Sequence, residues 1–77
     1  MSDDLDREIA RVKVDAATHR ERQARRRAEI AHADWLRSRS QLDAHKYWRA
    51  DLELTNSREA LALSKSEMSA LIEDEVA

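Results

Sequence analysis

Leu54-Thr55-Asn56-Ser57-Arg58-Glu59 is the stretch on which the choice between one long helix and two turns. Asn56 followed three residues later by Glu59 has the form of a capping box with Asn in place of Ser. In that arrangement one side chain accepts from a backbone N–H of the new helix while the carboxylate reaches back to the cap. The spacing predicts a bend near 55–56, between a helix over about 3–53 and a shorter one over about 57–75. Ser38 with Gln41 and Ser64 with Glu67 mark alternative bends near 38–40 and near 64. A seven-residue series opposes any break at 55 by running through it: Tyr47, Leu54, Leu61 and Met68, with Ala50, Ser57, Ser64 and Leu71 between them. Large residues alternating with mostly small ones allow helices to approach closely, which suits a bundle face better than a long dimeric zipper. One uninterrupted helix would be about 110 Å long.

Outward from this stretch the composition is helical. The 77 residues include no Gly, Pro, Cys or Phe. Without Gly or Pro, tight hairpins and phosphate-cradling glycine loops are disfavoured, so an all-β fold or a Gly-rich nucleotide site is excluded. Ala, Leu, Arg and Glu dominate, and all are strong helix formers. The expected fold class is all-α: a single helical domain over 1–77, as a helical hairpin or an extended coiled-coil-like pair, and oligomeric. The absence of Cys removes disulfides and thiolate metal sites. No apolar run reaches about 18 residues, and the start of the chain is acidic where a signal peptide would be basic. A cytoplasmic location is expected, or a virion-associated one if the gene belongs to a bacteriophage; the 11 Arg against 3 Lys suggest a high-GC bacterial or phage gene.

Ser2, with Asp3, Asp4 and Asp6, supplies an N-cap and first-turn carboxylates for the first helix. Leu5, Ile9, Val12 and Ala16 then recur on one stripe, which lapses through His19, Gln23 and Arg26 or Arg27 before Ile30. On this reading the middle of the first helix buries nothing, so residues 13–29 form a solvated rod or a docking surface, and the chain needs neighbours. Charge is segregated: residues 7–27 carry eight basic and three acidic side chains, whereas residues 50–77 carry a net −5. A bend at 55 would lay Glu73, Asp74 and Glu75 near 35–37, out of reach of Arg20–Arg27.

Three groups of residues are candidates for function. Arg20, Arg22, Arg25, Arg26 and Arg27 form the most basic stretch, suited to nucleic-acid phosphates or an acidic protein. Trp35, Tyr47 and Trp48 cluster within fourteen positions and, with Leu54, Leu61 and Met68, form the expected protein interface. His19, His32 and His45 recur every thirteen residues and do not share a helix face; Asp15 with His19 offers only two metal ligands. No metal site, catalytic residue, cofactor or small-molecule substrate is expected.

Asp15 to Thr18, Arg25 to Glu29 and Trp35 resemble, across a gap, the RNA-hairpin-binding segment of lambdoid phage antitermination N proteins over about 20 residues, which implies RNA binding. Arg58 to Ile72 resembles the second half of a bacterial helix-turn-helix unit, with Ala62, Ser64 to Ser66, Met68 and Leu71 fitting the pattern, which implies a DNA-reading helix. Glu67, Glu73, Asp74 and Glu75 on that helix would repel phosphate. The expected function is accordingly a non-enzymatic helical protein–protein interaction module, an assembly or adaptor subunit or a small phage-type inhibitor. The alternative is an RNA- or DNA-binding regulator that uses 20–27.

Overall fold

The computed structural model describes residues 2–76, with side chains described over 4–73. Two helices, α1 (Ser2–Ser38) and α2 (Gln41–Val76), fold back on each other as an antiparallel hairpin. Its Cα extents are 56 × 16 × 13 Å, the length of one helix of 37 residues at 1.5 Å per residue. The Ser2 and Asp3 side chains of the expected N-cap, and those of Asp74, Glu75 and Val76, lie outside the described residues.

The bend is at 39–40, the alternative position, and not at 55–56. Two details explain why the chain turns here without glycine. Arg39 takes the left-handed conformation, φ 53°, and its N–H donates to the Trp35 carbonyl at 2.7 Å, which closes α1 with the single bond of an αL cap. Ser40 then caps α2: its hydroxyl accepts from the Asp43 N–H at 3.1 Å, and its carbonyl accepts from Ala44 N–H at 3.0 Å. Ser38 completes a relay. Its Oγ accepts from the Ser40 N–H at 3.2 Å and donates to Asp43 Oδ2 at 2.5 Å, so the carboxylate of a capping box acts through an interposed hydroxyl. The capping pair is therefore Ser40 with Asp43, in place of the Ser38 and Gln41 read from spacing alone.

At 55–57 the chain stays helical, and its hydroxyls bond back along the helix. Thr55 Oγ1 donates to the Asp51 carbonyl and Ser57 Oγ to the Glu53 carbonyl, each four residues back, so neither competes for a cap. Continuity also keeps the seven-residue series on one face. Leu54 is buried, while Tyr47, Ala50, Ser57, Leu61, Ser64, Met68 and Leu71 are half-buried. The two-helix unit implied by the resemblance of 58–72 to a helix-turn-helix is not formed, since that segment is uninterrupted helix.

The partner face on α1 differs from the one the large residues suggest. Its buried positions are Ala10, Ala17, Ala24 and Ala28, with Glu21 among them and Val14, Ala31 and Trp35 half-buried. These fall at alternating steps of three and four, with an alanine every seventh residue at 10, 17, 24 and 31. Leu54 packs against Ala24 and Ala28, with Ala50 beside them. Leu5, Ile9 and Val12, the stripe expected to be buried, are 46–62% exposed on the outer side of α1. The middle of α1 thus does bury a face, made of methyl groups instead of large side chains.

The turn chemistry generates two predictions. Ser40→Ala removes an N-cap and costs about 1 kcal/mol, whereas Asn56→Ala, in a helix interior, leaves stability unchanged or raises it by up to about 0.7 kcal/mol. Thermal melts of the two variants give opposite signs, and a loss of about 1 kcal/mol in Asn56→Ala would restore the bend at 55.

The second concerns pH. Hydrogen bonding from Ser38 holds the Asp43 carboxyl below its ordinary value, with further lowering from Ser40 and from the Lys46 and Arg37 charges. A carboxyl lowered in the folded state contributes fully above its unfolded pKa, and that contribution disappears as pH falls through the folded one. The melting-temperature gap between wild type and Asp43→Asn is therefore widest near neutrality, narrows below about pH 4 and closes once Asp43 is protonated in both states.

Candidate functional site

Moving the bend from 55 to 39–40 changes which residues face each other. Arg27 meets Glu53 at 3.6 Å and Glu21 meets Arg58 at 3.8 Å across the helix pair. The same register brings Glu73 to the level of Asp6 at the open end, in place of the expected neighbourhood at 35–37. Residues 1–13 and 66–77 together hold eight acidic and three basic side chains, whereas residues 14–65 hold eleven basic and eight acidic. The rod is therefore negative at its open end and positive through its middle.

The arginine stretch does not make one surface. At 100° per residue, Arg22 and Arg25 point to one side of the hairpin and Arg20 and Arg27 to the other, while Arg26 points away from α2. Arg20 and Arg27 line a hollow with Gln23, Ala24, Glu53, Asn56 and Ser57, where Glu53 offsets part of their charge. Arg22 and Arg25 line the opposite groove with Thr18, Glu21, Leu61 and Ala62, joined from α2 by Arg58 and Lys65. Sequence spacing could not reveal those two cations, because their proximity depends on where the chain turns.

Glu21 is the unusual member of this groove. It occupies a seam position beside alanines and is only 5% exposed, yet its Oε1 accepts from Arg25 NH2 at 2.5 Å and lies 3.8 Å from Arg58 Nε. The two guanidiniums remain more than half exposed, so solvent reaches the outer part of the ion pair while the carboxylate is enclosed. Removing a carboxylate from water is costly, and here a charge-assisted hydrogen bond from Arg25 on its own helix and the nearby Arg58 charge on the other offset that cost.

The aromatic residues divide between two roles. Trp35 and Tyr47 are half-buried and close the turn end of the hairpin, stacked with His32. The His32 and Tyr47 centroids are 4.6 Å apart, Trp35 and Tyr47 are 6.2 Å apart, and the Arg39 guanidinium lies 4.8 Å over the Trp35 ring. Trp48 faces outward, 61% exposed, with the His45 ring 5.9 Å away. Of the other expected interface residues, Leu54 is buried within the hairpin, and Leu61 and Met68 share its face. Leu42, Leu52, Leu63 and Ile72, by contrast, stand exposed at 46–65%.

Asp15 and His19 are both exposed, and no group of three or more metal-ligating side chains occurs among the described residues. No described helix is long and apolar enough to cross a membrane. Comparison of the chain with protein-family models, curated proteins and solved structures finds no match.

The seam position of Glu21 generates a stability prediction. Replacing a buried ion pair by an apolar side chain of similar volume is often stabilising. Glu21→Met keeps the length of the side chain, fills the seam and leaves Arg25 and Arg58 hydrated. It should stabilise the hairpin by about 1 kcal/mol or more, seen as a rise in Tm of about 4–8 °C. A fall in Tm would show that the carboxylate holds the two helices together.

Proposed function

We propose that this chain is a non-enzymatic helical interaction module that docks on a protein partner through the outer face of α2 around Trp48. The observation that carries this reading is Trp48 itself, an indole 61% exposed on a helix whose inward face is already occupied by α1. His45, Trp48 and Leu52 follow at i, i+3 and i+7, the spacing by which a helix lays anchors into an apolar groove. Trp is among the residue types most enriched at the energetic centres of interfaces. Leu5, Ile9 and Val12 give α1 a comparable outer stripe, and no large side chain among the described residues is fully buried. Association would remove both stripes from water, the driving force that a thin alanine seam does not supply.

An assembly or adaptor subunit and a small phage-type inhibitor both fit this description, as does a homo-oligomer built on the outer stripes. Bacterial or phage origin, with a cytoplasmic or virion location, belongs to the same proposal. The segregation of charge along the rod would orient a partner of opposite polarity during encounter.

The test is a comparison of Trp48→Ala with Trp35→Ala. Trp48→Ala should leave the Tm of the isolated chain unchanged and weaken capture of its partner by about 2 kcal/mol, roughly thirtyfold. Trp35→Ala should lower the Tm, because it removes the stack at the turn. Retention of every partner by Trp48→Ala would overturn the assignment.

A further inference from the structure

The groove around Glu21 is separate in chemistry from the Trp48 face. Glu21 draws one guanidinium from each helix to its mouth, Arg25 at 2.5 Å and Arg58 at 3.8 Å, and each Arg side chain stays 54–59% exposed. A guanidinium carries five N–H donors in a rigid fork, and a single carboxylate oxygen uses only part of that set. Arg22 and Lys65 line the same groove and have no ion-pair partner among the described residues. Four cations thus converge on a concavity that holds one carboxylate, itself enclosed beneath them, with the Thr18 hydroxyl on the groove wall.

We propose that this groove binds a compact diphosphate-type oxyanion, with Arg25 and Arg58 as forks from opposite helices and Arg22 and Lys65 as flanking charges. Anchoring supports the assignment. A buried carboxylate restricts two arginine side chains whose freedom would otherwise be lost on binding, and a pre-oriented fork matches phosphate oxygens bidentately. The extent of the basic surface limits the ligand to a compact one. The adjoining hollow toward the turn carries Glu29 and Asp51, and Asp15 lies seven residues before Arg22 on the same helix face. A long polyphosphate backbone following the groove would meet those carboxylates, whereas two linked phosphoryl groups would not.

The experiment titrates the full chain with inorganic pyrophosphate at low ionic strength, followed by calorimetry and by the NMR signals of the arginine Nε–H groups. Saturable 1:1 binding is expected, with the Arg25 and Arg58 signals shifting together. Arg25→Gln/Arg58→Gln should weaken it at least tenfold. Arg20→Gln/Arg27→Gln, which removes the same charge from the opposite side, should leave it within twofold, and Arg22→Gln/Lys65→Gln, which spares the Glu21 ion pair, should weaken it at least threefold; circular dichroism checks that each variant is as helical as wild type. Equal weakening in the Arg25/Arg58 and Arg20/Arg27 double variants would mean diffuse attraction to a basic rod and would overturn the site. So would the absence of saturable pyrophosphate binding, or saturable binding only of a single-stranded RNA of about ten nucleotides, which would assign the basic surface to nucleic-acid phosphates.

Discussion

Every other feature of this hairpin depends on the close contact of Leu54 with Ala24 and Ala28. A seam with an alanine every seventh residue has little side-chain volume of its own, so it can be filled only by bringing the second helix near and lowering its larger residues between the methyl groups. That contact sets the register, and the register sets the charges that meet: Glu21 with Arg58, and Arg27 with Glu53. It also explains the inverted distribution of apolar size in α1. Leu5, Ile9 and Val12 stand outside while the alanines at 10, 17, 24 and 28 stand inside, where close approach of α2 leaves room for few larger side chains, Glu21 among them.

A chain without glycine must turn by other means, and the means chosen tie the turn to its neighbours. Arg39 accepts a left-handed backbone that glycine would adopt more easily, and its guanidinium lies over Trp35. Ser38, Ser40 and Asp43 satisfy the first donors of α2 through a hydroxyl relay. Half-buried Trp35 and Tyr47, stacked with the exposed His32 ring, pack at this end of the rod, so cap and packing support each other where the antiparallel geometry is set.

The seam leaves the outer faces free to specialise, and they do so in opposite senses. Around Trp48 the surface of α2 is aromatic and aliphatic; around Glu21 the groove between the helices is cationic and anchored from below. The proposed apolar docking and oxyanion recognition require different surroundings, and the narrow core leaves the two surfaces on separate parts of the perimeter.

Composition alone determined that the chain is helical, since no Gly or Pro is present and strong helix formers dominate. The periodicity of Tyr47, Leu54, Leu61 and Met68 likewise placed these residues on one face, but whether that face met a partner protein or the chain's own first helix depended on where the chain turned. The inward face of α1 was equally present as alanines at 10, 17, 24 and 31, yet small methyl groups carry little weight beside Leu5, Ile9 and Val12 when burial is judged by hydrophobicity. The position of the turn was not decided locally. Ser-Arg-Ser at 38–40, Asn56 with Glu59 and Ser64 with Glu67 offer similar capping chemistry, and each is worth about 1 kcal/mol. What separated them was tertiary: a turn at 39–40 pairs two helices of nearly equal length and sets the alanine seam against Leu54, whereas a bend at 55 leaves most of α1 unpaired. The groove of Arg22, Arg25, Arg58 and Lys65 followed from that choice, because residues more than thirty positions apart become neighbours only after the chain has turned between them.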